Sequence, residues 1–211
     1  MTDYSNFFIP VENKKMEELC KFGKFTLQKH QQFIGKWFED GNSKILLFHG
    51  LGSGKTCSSI VVAQALLKAK KVKKVHVVTP ASLVNNYKKE LTGSCGGYSK
   101  IPSSIDVYSY EKFTKTMEQN LKQLDDSLVI IDEVQNIVSI TGTTYRRIFD
   151  LLVTKQPKNL HVVLLSGTPI FDKAHEIALT LNLLDLPKPL PIGNFYNEYL
   201  DTDMNIKNQD D

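Results

Sequence analysis

Seven consecutive residues have the types and spacing needed to bind phosphate, and they are Gly50, Leu51, Gly52, Ser53, Gly54, Lys55 and Thr56. Glycines allow main-chain N–H groups to approach phosphate oxygens closely, and the positive end of a following helix favours negative charge. A lysine at this spacing reaches the outer phosphates of a nucleotide, and the adjacent hydroxyl contacts Mg²⁺. The segment therefore predicts a phosphate-binding loop, although His49 stands where the general pattern has glycine.

A second candidate site follows the apolar run Leu128 to Ile131, which ends in two acids, Asp132 and Glu133. A carboxylate delivered to the end of a buried strand suits the Mg²⁺ of a bound nucleotide, so Asp132 is predicted to be a metal ligand. Glu133 could orient or deprotonate the water that attacks the γ-phosphate. An isolated Asp-Glu pair is more often an exposed turn, and it is the preceding phosphate loop that favours the catalytic interpretation.

A third candidate site consists of Ser166, Gly167 and Thr168, which follow the apolar run Leu160 to Leu165. Their hydroxyls are predicted to lie near the two acids, where their hydrogen bonds could change as the γ-phosphate leaves. Taken alone, this segment would be only a polar turn. Because it comes third in order after the other two motifs, a functional role is favoured over a plain turn.

A candidate nucleic-acid surface begins where the strand Val75 to Thr79 ends, and its residues are Thr79, Pro80, Ser82 and Lys88. Hydroxyls and the free N–H groups at the start of a helix suit the phosphates of a nucleic-acid strand. Contacts of this kind carry little sequence information, so weak, salt-sensitive and largely sequence-independent binding is expected. The net charge of +3 is too small to argue for such a partner.

The elements that must position these residues alternate between strands and helices, which predicts an α/β fold with a doubly wound, mainly parallel sheet covered by helices on both faces. Parallel strands place their carboxyl ends at one edge, where the loops form a ligand crevice. The predicted strands are Ile45 to Phe48, Val75 to Thr79, Ile105 to Tyr108, Leu128 to Ile131 and Leu160 to Leu165. The predicted helices are Thr56 to Ala69, Ser82 to Leu91, Tyr145 to Leu152 and Asp172 to Leu184.

Length and composition are those of a folded globular protein of 211 residues. The three cysteines, Cys20, Cys57 and Cys95, are far apart in the chain and lack metal-ligand spacing, so neither a disulfide nor a zinc site is predicted. This cysteine pattern favours a reducing, intracellular setting. No apolar segment is long enough to span a bilayer, which favours a soluble protein without a membrane partner.

Taken in order, the three motifs resemble the first, second and third motifs of superfamily two helicases. Val77 to Val84 and Val107 to Tyr110 resemble further motifs of the Swi/Snf-like branch, and the combination is most similar to helicases and early-transcription ATPases of large DNA viruses. The resemblance implies a RecA-like lobe in which Gln31 contacts adenine. It also implies a catalytic role for Lys55, Asp132, Glu133 and Gln135, with Thr56 and Asp132 on Mg²⁺. Ser166, Gly167 and Thr168 would by this resemblance couple the nucleotide state to movement.

By this resemblance, residues 1–40 are an N-terminal helical element with the adenine-recognition motif, residues 41–186 the ATP-binding domain, and residues 187–211 a proline-rich linker and polar tail. The implied cofactors are ATP and Mg²⁺. The implied partners are nucleic acid, DNA rather than RNA, a second RecA-like lobe in cis or in trans, and transcription machinery. A viral chain would act in the host cytoplasm, the nucleus or the virion.

Only half of a two-lobed motor is expected in this length of chain. Arg146 and Arg147 are the only arginines, and they lie between the second and third motifs, where a solvated helix face is expected rather than an arginine finger. The chain alone is therefore predicted to bind nucleotide but hydrolyse it slowly. Two alternatives remain at this stage: a stand-alone nucleotide-binding regulator or assembly protein whose partner supplies the arginine, and, less well supported, a small-molecule kinase.

Overall fold

The computed structural model describes residues 29–48, 54–139, 142–168 and 175–199. At its centre lies a five-stranded sheet in which every neighbouring pair of strands is parallel. The strands are β1 (Lys44–Phe48), β2 (Lys74–Thr79), β3 (Ile105–Ser109), β4 (Ser127–Ile131) and β5 (His161–Ser166). Their order across the sheet is β1-β5-β4-β2-β3. The predicted α/β fold with a parallel sheet is confirmed.

Helices cover both faces of this sheet, which is why its central strands are apolar along their whole length. The helices are α1 (Lys29–Glu39), α2 (Lys55–Lys68), α3 (Val84–Thr92), α4 (Tyr110–Gln119), α5 (Thr143–Phe149), α6 (Glu176–Asn182) and α7 (Phe195–Tyr199). One apolar cluster joins α1, α2 and α3 to the sheet, and another joins α4, α5 and α6 to the opposite face. Every residue of β4 and β5 is buried between these two layers.

Short irregular helices link several of the main elements. Single 3-10 turns run over Ala81–Leu83, Leu121–Leu124 and Val134–Asn136, and a π-helical segment, Asp150–Thr154, continues α5. The predicted helix Ser82 to Leu91 is thus divided into a 3-10 turn and α3. The structure differs from the prediction most clearly at α4, which the sequence analysis did not include. The Ser109 side chain caps this helix by accepting a hydrogen bond from the Lys112 N–H at 3.3 Å.

The first part of the predicted linker folds back onto the domain. The Asn182 side chain donates to the Leu190 carbonyl at 2.9 Å and accepts from the Leu190 N–H at 2.7 Å. Phe195, which begins α7, is buried. The stretch up to residue 199 therefore contacts the domain, and the division at residue 187 stays a prediction. The predicted tail, Asp201 to Asp211, lies outside the described residues. Among the described helices, none combines the length and the apolar character needed to cross a bilayer.

Two of the three cysteines are paired, contrary to the sequence-based expectation. Cys57 in α2 and Cys95 after α3 form a disulfide whose Cα atoms are 5.1 Å apart. They are separated by 38 positions in the chain, and they meet because α2 and α3 pack side by side on the same face of the sheet. Local spacing could not reveal this pair.

Candidate active site

The carboxyl ends of four strands bring the sequence-predicted motifs to one edge of the sheet. Phe48, the last residue of β1, lies level with Ser166 of β5. Ile131 lies level with Leu164 on one side and with Val78 on the other. Asp132 continues this pattern, since its N–H donates to the Val78 carbonyl at 2.8 Å. The second and third motifs are therefore neighbours, and the segment after β1 begins beside them.

The described end of the phosphate loop has the local geometry that its sequence predicts. Gly54 precedes α2 with φ 79° and ψ 30°, a left-handed conformation that strongly favours glycine. Lys55 begins α2 and is buried, and Thr56 is half-buried beside it. The first turn of α2 contains no acidic residue, so its positive end is not neutralised locally. Gly50, Leu51, Gly52 and Ser53 lie outside the described residues.

Asp132 is a buried carboxylate that lacks full compensation from protein groups. Burial, followed by the negative charge of Glu133, raises its pKa to about 6. The Glu133 N–H, which donates to Asp132 Oδ1 at 3.1 Å, the charge of Lys55 and the nearby Thr79 hydroxyl act in the opposite direction. A raised pKa means that this environment favours a proton, or another positive charge, on the carboxylate. The site therefore has the electrostatic character of an incomplete cation site.

Glu133 adopts a left-handed main-chain conformation, with φ 51° and ψ 51°, which is strained for a residue with a side chain. A residue that the sequence analysis did not assign to the site holds this turn in place. The Tyr110 hydroxyl, from the start of α4, lies 2.6 Å from the Asp132 carbonyl oxygen and 2.9 Å from that of Glu133, and it donates to both. Its contact could not be inferred from sequence, because the receiving groups are main-chain carbonyls of a distant turn.

A chain of hydrogen bonds joins the second motif to the third through Gln135. The Gln135 side-chain N–H donates a hydrogen bond to Glu133 Oε2 at 2.5 Å, and its Oε1 accepts a hydrogen bond from the Ser166 hydroxyl at 2.8 Å. The Thr168 N–H donates to the same hydroxyl at 3.1 Å. Both ends of the Gln135 amide are thus fixed, one by each motif. Gly167 lies between the two third-motif residues and is half-buried.

The sequence pattern of the family described as "Type III restriction enzyme, res subunit" matches residues 24–171 of this chain. That range contains the phosphate loop, both acids and the third motif. The chain belongs to this family. As the motif order predicted, it has the sequence pattern and the parallel sheet of the N-terminal, RecA-like lobe of superfamily two helicases.

Proteins of large DNA viruses are among those similar to this chain. An Acanthamoeba polyphaga mimivirus protein, named as an ATP-dependent RNA helicase, is 34% identical and aligns with 97% of this chain but 40% of its own length. The early transcription factor 70 kDa subunit of variola virus is 27% identical, over 75% of this chain and 26% of its own length. The chain therefore spans less than half the length of these curated relatives.

A solved structure shows the same fold. The SWI2/SNF2 ATPase core of Sulfolobus solfataricus, solved in complex with double-stranded DNA, superposes with a TM-score of 0.65. The two sequences are 20% identical, and the match covers 83% of this chain and 39% of the Sulfolobus chain. At this identity the likeness concerns the fold alone.

The predicted nucleic-acid residues fall into two groups. Thr79 is fully buried at the end of β2, so in this structure it is not accessible to a phosphate backbone, contrary to the prediction. Its hydroxyl is near the Asp132 carboxylate, although no described residue meets it in hydrogen-bonding geometry. Thr79 is buried because its strand is covered on both faces. Pro80 is half-buried, whereas Ser82 and Lys88 are exposed, and these three remain predicted contacts.

Two further predictions concern Gln31 and Arg147. Gln31 lies within α1, and its contact with adenine remains a prediction. Arg147 forms a two-pronged ion pair with Glu118, with both N–O distances at 2.6 Å. This pairing confirms that Arg147 belongs to a partly exposed helix surface rather than to the site.

Proposed function

We propose that this chain is the ATP-binding lobe of a nucleic-acid-dependent helicase or translocase, and that it hydrolyses ATP when it is paired with a second RecA-like lobe. The observation that carries this proposal is the hydrogen-bonded chain from Glu133 through Gln135 to Ser166. It links the residue suited to activating water with the segment suited to sensing the γ-phosphate. A protein that only bound nucleotide would not need this connection.

The residues present fit ATP and Mg²⁺. Lys55 and the N-terminal turn of α2 supply positive charge beside the glycine-rich loop, and Thr56 places a hydroxyl next to them. Asp132, whose pKa is raised by burial and by Glu133, would be stabilised as a carboxylate by a cation. When bound there, Mg²⁺ would offset the charge of the outer phosphates. Gly50, Leu51, Gly52 and Ser53 are proposed to complete the loop, and Gln31 to contact adenine.

For hydrolysis, we assign Glu133 to the attacking water. A carboxylate in hydrogen-bond reach of water can orient it and accept its proton. The bond from Gln135 holds the Glu133 side chain in one orientation, while Tyr110 holds the main chain of the turn. Loss of the γ-phosphate would alter the water and Glu133, and through Gln135 the change would reach Ser166, Gly167 and Thr168.

The nucleic-acid strand is proposed to contact the segment between β2 and α3. Pro80 and Ser82 lie there, Lys88 lies within α3, and the side chains of Ser82 and Lys88 are exposed. Because contacts with phosphates release counterions, binding should weaken as salt rises and should depend little on sequence. We propose DNA rather than RNA as the partner, with transcription machinery as a further partner. A double variant, Ser82→Ala with Lys88→Ala, should weaken DNA binding and reduce its dependence on salt.

The first experiment measures Mg²⁺-dependent binding of a fluorescent ATP analogue to the chain and to Lys55→Ala. We expect Lys55→Ala to weaken binding at least about tenfold, since it removes a charge-assisted contact with phosphate. Lys68→Ala, at the opposite end of the same helix, is the matched control and should leave affinity unchanged. Equal affinity of the unaltered chain and Lys55→Ala would contradict the site assignment.

The second experiment compares ATP hydrolysis by the chain alone and by the two-lobed protein, with and without DNA. The chain alone should turn over slowly, because arginine fingers contribute about 10³-fold or more in related phosphate-cleaving enzymes. The two-lobed protein should be stimulated by DNA. Nucleotide binding without any nucleic-acid stimulation would instead indicate a regulatory nucleotide-binding protein.

A further inference from the structure

The disulfide between Cys57 and Cys95 connects the nucleotide-binding helix to the segment that follows α3. Cys57 is the third residue of α2 and directly follows Thr56, so it lies in the first turn after the phosphate loop. Cys95 is buried, whereas Cys57 is only half-buried. The separation of their Cα atoms, 5.1 Å, lies within the range that a disulfide requires. The pair is therefore placed to restrain the helix start that the nucleotide would contact.

The Cys95 segment is held firmly against both helices. The Gly96 N–H donates to the Glu90 carbonyl at 3.0 Å, and the Tyr98 N–H donates to the Leu91 carbonyl at 3.2 Å. From α2, the Gln64 amide donates to the Gly96 carbonyl at 2.6 Å. These bonds do not involve either sulfur, so they would hold Cys95 opposite Cys57 in the reduced protein as well.

The surroundings also give the two thiols different roles. Cys57 is the more accessible of the two. It is thus suited to react first with an external oxidant, and the buried Cys95 is suited to react second.

We propose that Cys57 and Cys95 are a reversible oxidation site for small-molecule disulfides of the oxidised-glutathione class. The Cys57 thiolate attacks one sulfur of the oxidant and releases one thiol, which leaves a mixed disulfide on Cys57. The Cys95 thiolate then attacks the Cys57 sulfur and releases the second thiol. Two protein thiols thereby lose two hydrogens, and one small disulfide becomes two thiols.

The cross-link should tighten nucleotide binding, a consequence that rests on the proposed function. It fixes the first turn of α2 to the segment that follows α3. Less conformational freedom is then lost when Lys55 and Thr56 bind phosphate and Mg²⁺. Pre-organisation of a few groups is worth roughly a three- to tenfold gain in affinity. Reduction of the disulfide should reverse that gain.

The chemical test uses the Cys20→Ser background, which leaves the two cysteines of the pair as the only thiols. After treatment of the reduced protein with oxidised glutathione, peptide mass analysis should show a Cys57–Cys95 cross-link. Cys95→Ser should instead retain glutathione on Cys57, and Cys57→Ser should stay largely unmodified. Absence of the cross-link, or faster reaction of Cys95 than of Cys57, would overturn the assignment.

The functional test measures the affinity of a fluorescent ADP with Mg²⁺ for the oxidised and reduced forms. Tighter binding by the oxidised form, with no redox effect in Cys95→Ser, supports the proposal, and equal affinities contradict its functional part. Failure of both forms to bind nucleotide would contradict the proposed function while leaving the cross-linking result intact.

Glu90 offers a competing chemistry, since its carboxylate and the two sulfurs lie within 4.8 Å of one another. Such a group could hold a thiophilic cation. Reduced protein is therefore titrated with Zn²⁺ alone, using Glu90→Gln for comparison. Tight one-to-one binding that weakens in Glu90→Gln would assign the pair to a metal and overturn the redox role, whereas weak binding that is unaffected by Glu90→Gln supports it.

Discussion

The Ser166 hydroxyl donates a 2.8 Å hydrogen bond to the side-chain oxygen of Gln135, across the boundary between β5 and the turn after β4. Gln135 is in turn bonded to Glu133. Ser166 is fully buried, so water cannot readily replace this contact. Two hydrogen bonds through Gln135 therefore join the third motif to Glu133, the residue assigned to the attacking water.

The first prediction concerns this connection. Ser166→Ala should keep nucleotide affinity nearly unchanged while reducing DNA-stimulated ATP hydrolysis about tenfold, because it removes the link between Glu133 and the third motif. Nucleotide binding and DNA-stimulated turnover are measured side by side in the two-lobed protein. Ser127→Ala is the matched control, since Ser127 is also a buried strand serine but bonds the Leu124 carbonyl at 2.7 Å. If both variants lost activity equally, the effect would reflect general destabilisation.

A second prediction separates binding from hydrolysis. Glu133→Gln retains the shape of the side chain and an oxygen that Gln135 can reach, but it cannot accept a proton from water. We expect turnover to fall by about 10²- to 10⁴-fold with ATP affinity within about threefold of the unaltered protein. Glu111→Gln, at an exposed ion pair with Lys115, is the control. Near-normal turnover in Glu133→Gln would exclude Glu133 as the base.

Sequence periodicity was sufficient to locate the five strands within one or two residues, because buried parallel strands are continuous apolar runs. The motif order was likewise sufficient to place Asp132 and Ser166 at the same sheet edge. Thr79 was predicted to be accessible but is buried, and the cause is the burial that made its strand easy to find. A strand covered on both faces buries its last residue too, and burial cannot be distinguished from surface exposure by position in a motif alone.

Local sequence patterns could not predict contacts between segments that are far apart in the chain. The Cys57–Cys95 pair depends on how α2 and α3 pack, and the role of Tyr110 depends on the left-handed conformation of Glu133. In contrast, α4 could have been predicted, because its sequence contains a capping residue and apolar residues at helical spacing. Ser109 is a suitable cap, and Phe113 and Met117 are spaced four residues apart on the buried side.

A third prediction tests Tyr110 as a positioning residue. Tyr110→Phe removes the hydroxyl that bonds the Asp132 and Glu133 carbonyls, so the strained turn should lose stability by about 1 kcal/mol. Because the turn carries Glu133, kcat for ATP hydrolysis should fall by a factor several times larger than the factor by which KM changes. Tyr108→Phe is the matched control, as its hydroxyl bonds Asp106 at 3.1 Å, away from the turn. An equal loss of stability in both variants with equal activity would leave Tyr110 a purely structural role.

The last prediction concerns stability in acid. His76 in β2 is fully buried, and its Nε2 lies 2.9 Å from the Gln123 carbonyl oxygen, to which it donates. No described residue bonds Nδ1. Burial lowers the pKa of His76, with a smaller contribution from Lys74, against the opposing effects of the Gln123 carbonyl and Asp106. The neutral ring is therefore the form that the folded protein accepts.

The sign of the pH effect follows from this lowered pKa. Below about pH 6.5 the unfolded chain binds a proton at His76 that the folded protein resists, so the free energy of unfolding should decrease as pH falls from there toward the folded pKa. Each unit of pKa difference corresponds to about 1.4 kcal/mol.

His76→Gln keeps a donor for the Gln123 carbonyl without a titrating ring, and it should flatten the decline measured by urea unfolding between about pH 7.5 and pH 5.5. His175→Gln makes the same substitution at a half-buried position outside the sheet and serves as the control. A decline as steep in His76→Gln as in the unaltered protein would show that other groups govern acid sensitivity, with His161, whose pKa is also lowered by burial, the next residue to test.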